Sequence, residues 1–114
     1  MILLTTSGVQ VDAQMIQNYF HNLVNLFFKI LPMREHEEET LCQYMCNLRD
    51  ELLGCKELIA ALENDALFAS LIFNLQYMID RPDIPVAEVR SKVFQSISTC
   101  NKLKCRYDNK EVLQ

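Results

Sequence analysis

Gln14–Lys29 reads QMIQNYFHNLVNLFFK, and its spacing decides the fold. Wound at about 100° per residue, the apolar residues Met15, Ile16, Tyr19, Phe20, Leu23, Val24, Leu26 and Phe27, continued by Ile30 and Leu31, fill about half of a helical circle. An apolar arc this wide is more than one neighbouring helix covers, so the first helix belongs near the centre of a bundle. The opposite arc holds Gln14, Gln17, Asn18, His21, Asn22, Asn25 and Lys29, with Phe28 among them. A solvated helix face ordinarily carries Lys and Glu, which are easily exposed and form helices well. Asparagine is a poor helix former. Amides both donate and accept hydrogen bonds, and with an aromatic between them they suit a half-buried surface. Gln14, Asn18, His21, Asn22, Asn25 and Phe28 are therefore candidate interface residues. The competing reading is a solvated face that happens to be rich in amides.

Outward from this stretch, the first helix follows Asp12, a residue type that caps helix N-termini, and is expected to stop at Leu31 because Pro32 disfavours helical geometry before it. A second helix is expected from Arg34 to Leu53. Glu35, Glu37, Glu38 and Glu39 crowd its first turns, where negative charge is favoured, and Leu41, Met45, Leu48 and Leu52 form its seam. Gly54 is placed to end it with a left-handed cap. A short helix is expected over Cys55–Glu63, followed by a break or fresh cap at Asn64-Asp65. A fourth helix runs from Ala66 to Ile79, with Leu67, Phe68, Leu71, Ile72, Leu75, Met78 and Ile79 on one face and Phe73 and Tyr77 roughly opposite. The loop DRPDIP leads into a last helix lined by Val86, Val89, Val93, Ile97, Cys100 and Leu103.

The expected fold is thus all-α: one domain over residues 1–114, a compact bundle of four main helices plus one short helix, with helices one and four near the centre. Residues 1–11 form either an extended arm or a small β-hairpin turning at Ser7-Gly8. Residues 108–114 form a frayed tail. The length, 114 residues, suits one hydrophobic core. The composition, 50% hydrophobic and 23% charged, is that of a globular domain. Two glycines and three prolines leave little material for a turn-rich β fold.

No apolar run approaches the ~18 residues that span a bilayer, and MILLTTSGVQVD lacks the basic segment of a secretion signal. The first helix is amphipathic, but its neutral polar face is unlike the basic face of membrane-surface helices. Five cysteines, an odd number without a signal peptide, fit reduced thiols in a cytoplasmic protein.

Chemistry is sparse. Two histidines and no supporting motif give no nucleophile arrangement, and Gly8 and Gly54 are too far apart to cradle a phosphate. Cys42 and Cys46 share a helix face, yet lack the second short-spaced ligand pair of a structural zinc site. REHEEE contains no Glu-x-x-His pair. Neither a cofactor nor a metal is expected, and the protein reads as non-enzymatic.

The charge of −4 is uneven. From Val86 onward the chain carries a net +3, leaving −7 on residues 1–85. Lys92, Lys102 and Arg106 share an outer face of the last helix and are candidate phosphate contacts, although cations late in a helix also complement its dipole. No aromatic is interleaved among them to stack on bases. A helix-turn-helix at Gly54 is rejected because Cys55–Glu63 bears two acids and one lysine where a recognition helix needs cations. The functional expectation is a small cytosolic protein–protein interaction module. It pairs with another protein or with itself as a homodimer, through the amide arc together with Phe73 and Tyr77. The alternative is an accessory nucleic-acid-associated protein using the basic last helix.

Overall fold

The computed structural model describes residues 2–4, 10–58, 62 and 64–112, with side chains over 14–56, 62 and 64–106. Two short strands, β1 (Ile2–Leu4) and β2 (Gln10–Asp12), precede helices α1 (Ala13–Phe28), α2 (Ile30–Glu35), α3 (Leu41–Leu58), α4 (Ala66–Asp80) and α5 (Val86–Val112). The fold is an all-α bundle. The strands pair antiparallel with Leu3 opposite Val11, as in the hairpin alternative. The expected turn at Ser7-Gly8 lies outside the described residues. Asp12 directly precedes α1, as a cap would, and α5 continues past Asp108, where the sequence predicts fraying.

α1 is built on Ile16, Phe20, Leu23 and Phe27, all buried and spaced four, three and four apart, and Ile30 continues the series. Tyr19, Val24, Leu26 and Leu31 pack at its flanks. Met15, expected on the apolar face, is instead 62% exposed, at the edge of the arc. The main neighbour of α1 is α5, whose Val89, Val93, Ile97, Cys100 and Leu103 are buried against it. The central pair is therefore α1 and α5 rather than helices one and four. The 27-residue length of α5 lets it run beside the whole of α1. α4 packs on α5, α3 packs on α4, and α2 touches both α5 and α3.

Side-chain hydrogen bonds close the circle between α3 and α1. Tyr44 Oη donates to the Leu26 carbonyl at 2.6 Å, and Tyr19 Oη donates to Glu51 Oε2 at 3.1 Å. Between α4 and α5 a buried polar pair fixes the relative height of the two helices. Asn74 Nδ2 donates to Ser96 Oγ at 3.0 Å, and Ser96 in turn donates to the Lys92 carbonyl at 2.9 Å.

Three helix boundaries differ from the sequence expectation, each for a local reason. The break in the first helix comes at Phe28–Lys29, ahead of Pro32. Proline lacks the N–H that would bond the carbonyl four residues earlier, and its ring crowds that carbonyl; here the affected residue is Phe28. The chain then continues helically through Pro32, which sits in the first turn of α2, where an N–H would be unpartnered anyway. α2 is thus a short helix that the sequence did not anticipate, and Cys55–Leu58, expected in a separate short helix, belongs to α3.

The acidic run does not open the next helix. α2 ends in a two-bond C-terminal turn, Glu38 N to Met33 O at 3.0 Å and Glu37 N to Arg34 O at 3.2 Å. Glu37 occupies the left-handed position of that turn, at φ 50°, a place that glycine normally takes. Gly54, expected as the cap that ends the second helix after Leu53, lies inside α3, which runs on to Leu58. With no turn at Gly54, the helix-turn-helix arrangement is also absent. Of the expected short helix, residues 59–61 and 63 lie outside the described ones, and Leu62 is buried in the core.

The Asn64-Asp65 signal is realised in full. Asp65 is the N-cap of α4, and its Oδ1 accepts from Leu67 N at 2.9 Å and Phe68 N at 3.2 Å. Its other oxygen is ion-paired to Arg106 of α5, so one carboxylate starts α4 and ties it to α5.

Two substitutions should exchange the roles of these backbone positions. A Cβ at Gly54 would meet nothing within 4 Å, so Gly54→Ala should stabilise the protein by about 0.5–1 kcal/mol through helix propensity. Glu37→Gly should add about 1 kcal/mol by relieving the left-handed strain. Urea midpoints read both. Asp65→Ala should cost about 1–2 kcal/mol, and Asp65→Asn less, because the amide still caps the helix.

Candidate functional site

The amide arc of α1 faces solvent: Gln14, Asn18, His21, Asn22, Asn25 and Phe28 are all exposed. Gln14 Nε2 donates to Asn18 Oδ1 at 3.0 Å, one turn on. Phe28 does not stand alone. Its ring meets Phe94 of α5 edge-on, with centroids 5.8 Å apart and planes at 87°, a favourable aromatic geometry. Phe28 is 42% and Phe94 47% exposed. Seven residues earlier on α1, Lys104 Nζ approaches His21 Nδ1 at 3.3 Å and donates to it when the imidazole is neutral. The pairings Phe28–Phe94 and His21–Lys104 show that α1 and α5 run antiparallel.

The outer face of α5 extends the α1 surface. Ser91, Phe94, Gln95, Ser98, Asn101, Lys102 and Cys105 are exposed there. Together the two helices present one continuous surface of amides, hydroxyls and aromatic edges. Its charges are cationic, Lys29, Lys102 and, against His21, Lys104, and no carboxylate lies among the described residues of the two arcs just named. In a chain of net charge −4, such a face stands out. Sequence reasoning found the α1 half and missed Phe94 and the α5 half. The signal was present, since Ser91, Phe94, Ser98 and Cys105 recur at helical spacing with no acid between them. It was hidden because the expectation for that helix centred on its cations.

The other candidate residues are dispersed. Phe73 is 64% exposed on the outside of α4. Tyr77, four residues on, is drawn toward α5. Its hydroxyl hydrogen-bonds Glu88, and its ring lies between the Arg81 guanidinium at 3.9 Å and Lys92 Nζ at 4.5 Å. The hydrogen bond to Glu88, with burial, pushes the Tyr77 phenol above its ordinary pKa. Phe73 and Tyr77 thus form no shared patch with the amide arc. Two of the three proposed phosphate contacts are also engaged within the chain, Lys92 over Tyr77 and Arg106 with Asp65. Lys102 is exposed beside Phe94.

A separate cavity of about 340 Å³ opens where α2, the 36–40 loop, α3 and the 81–85 loop meet. Ile30, Met45, Met78 and Val89, all buried, form its apolar floor. Arg34 reaches across one wall and donates from Nη2 to the Ile84 carbonyl at 3.2 Å. Its Nε–H is sealed from solvent and meets no acceptor. A buried donor left unpaired costs about 1–3 kcal/mol.

All five cysteines are free. Partial burial and then the neighbouring Cys42 thiol raise the Cys46 pKa. Among the described residues, no group of three or more His, Cys, Asp or Glu is placed to hold a metal ion. Cys55 is raised by burial, and burial also drives Tyr19 strongly upward. Cys100 is fully buried, which pushes its thiol up to about 12.

Cys100 gives a pH signature. In the unfolded chain a thiol ionises near pH 8.5, whereas the native thiol keeps its proton to about 12. Between those values the native state binds the extra proton, so stability must fall as pH rises, by up to about 1.4 kcal/mol per unit. The urea midpoint should decline from pH 8 to about 10.5. Cys100→Val, which removes the thiol, should make that decline shallower.

Compared with protein-family models, curated proteins and solved structures, the chain matches none.

Proposed function

We propose that this protein is a small non-enzymatic interaction module that pairs with a second copy of itself through the α1–α5 face. The observation that carries the reading is the composition of that face, with amides and hydroxyls around the Phe28–Phe94 pair and no carboxylate among them. A two-fold axis sets each residue near the axis against its own counterpart. Like charges there would repel, whereas an amide donates to and accepts from another amide. Exposed aromatics at the centre of such a face supply the apolar area that anchors an interface.

The dimensions support a modest affinity. α1 has 16 residues, so it is about 24 Å long. Two helices side by side are about 20 Å wide. That is at the small end of specific interfaces, which suits micromolar association. Free thiols on every cysteine suit the reducing cytoplasm. With Lys92 and Arg106 engaged inside the chain, the nucleic-acid alternative has less to grip with.

Light scattering after gel filtration at about 100 μM should give about twice the 13.3 kDa chain mass. Asn25→Glu combined with Ser98→Glu sets carboxylates against each other across the axis, and should yield the monomer without changing the melting temperature by more than a degree or so. Phe73→Glu, outside the face, should leave the dimer intact. A wild-type protein that stays monomeric at that concentration would sink the reading, as would a double variant that still dimerises.

A further inference from the structure

We propose that the Cys42–Cys46 thiol pair near the start of α3 binds a soft monovalent metal ion, Cu(I), as a two-coordinate bis-thiolate. Neither cysteine belongs to the α1–α5 face, so the site does not depend on dimerisation. The two residues are four apart in the first turns of α3 and stand one above the other on the same side of the helix. Their thiols hydrogen-bond each other. Cys42 is exposed and Cys46 half-buried, so an ion reaches the pair from solvent. The other three thiols are placed differently. Cys55 is hydrogen-bonded to Tyr19, Cys100 is sealed in the core, and Cys105 lies on the outer face of α5.

Helical spacing decides between the two reactions open to a thiol pair. A disulfide needs Cβ atoms about 3.5–4.5 Å apart, whereas side chains four apart on a helix have Cβ atoms about 5–6 Å apart. Closing that bond would unwind the first turn of α3, where Leu41 and Met45 pack on the core. With metal–sulfur bonds of about 2.3 Å each, a bridging ion lets the sulfurs stand about 4.6 Å apart and leaves the helix intact. The donor set then selects the ion. Structural zinc takes four ligands, and among the described residues no third His, Cys, Asp or Glu joins this pair. A soft monovalent ion is satisfied by two thiolates. Glu38 and Glu39 share a cavity rim with Cys42 and draw a cation toward it. Arg49 favours the Cys46 thiolate more than Asp50 opposes it. Each thiol gives up its proton on binding, so two protons leave, one Cu(I) enters, and the site ends with a charge of −1.

The test titrates the reduced full chain with Cu(I) without oxygen, in competition with a chromogenic Cu(I) chelator and with excess glutathione. One equivalent should be taken up and retained against glutathione, because the second thiol binds intramolecularly once the first has bound. Affinity should rise with pH, by up to about a hundredfold per unit, as two protons are displaced. Cys42→Ser and Cys46→Ser should each weaken uptake at least about a hundredfold, with the helical circular dichroism unchanged. The double variant Cys55→Ser/Cys105→Ser should bind like the wild type. Loss of the ion to glutathione, or undiminished uptake in either single variant, would overturn the proposal. So would loss of uptake in a folded Cys55→Ser/Cys105→Ser protein, or Zn(II) displacing Cu(I) at equal concentration. If a single variant fails to fold, alkylation protection decides: Cu(I) should shield Cys42 and Cys46 together in the wild type, and shielding of neither would overturn the site.

Discussion

The bundle depends on covering the apolar arc of α1. Ile16, Phe20, Leu23, Phe27 and Ile30 are all sealed from solvent, and each buried side chain of this kind contributes about 1.5–3 kcal/mol. α5 does most of the covering, because it is long enough to lie antiparallel along the whole arc and carries the matching series Val89, Val93, Ile97, Cys100 and Leu103. The remaining helices close on this pair. α4 is set by the buried Asn74–Ser96 bond and by Asp65, which caps α4 while holding Arg106 of α5. α3 is held to α1 at its flank by the hydroxyls of Tyr19 and Tyr44.

This arrangement sorts the surface by charge. The acids of the 35–39 segment and Asp83 gather at one corner, around the Arg34 cavity. The outer arcs of α1 and α5, rich in amides and hydroxyls and without carboxylates among the described residues, form a second surface. An amide arc on one helix is easily matched by chance. The same composition on its antiparallel neighbour, joined by an aromatic pair across the seam, makes a single surface large enough to act as one.

Much of the fold was legible because apolar periodicity reports burial directly. The seams of α3, α4 and α5 are the spaced residues the sequence singled out, and Asn64-Asp65 is the cap it signalled. The errors cluster where one residue type serves two opposite purposes. Pro32 stops a helix that precedes it and also starts one that contains it, and here it does the second while breaking the chain at Phe28. Gly54 suits a left-handed cap but also tolerates a helix interior. The left-handed turn that does occur closes α2, and Glu37 holds it with two backbone hydrogen bonds around it. At these positions local preference is worth about 1 kcal/mol, less than the packing of a single core side chain, so packing decides.

The sequence alone determined that the chain is helical, where its apolar seams run, and that the outer arc of α1 is amide-rich, since each follows from residue spacing along one helix. Only the tertiary structure decided which arcs adjoin. It joined Phe28 to Phe94, turned Tyr77 toward Glu88, engaged Arg106 with Asp65, and tied Arg34 to the Ile84 carbonyl. These are relations between helices far apart in the chain, and the periodicity within one helix carries no information about which neighbour it meets or at what height.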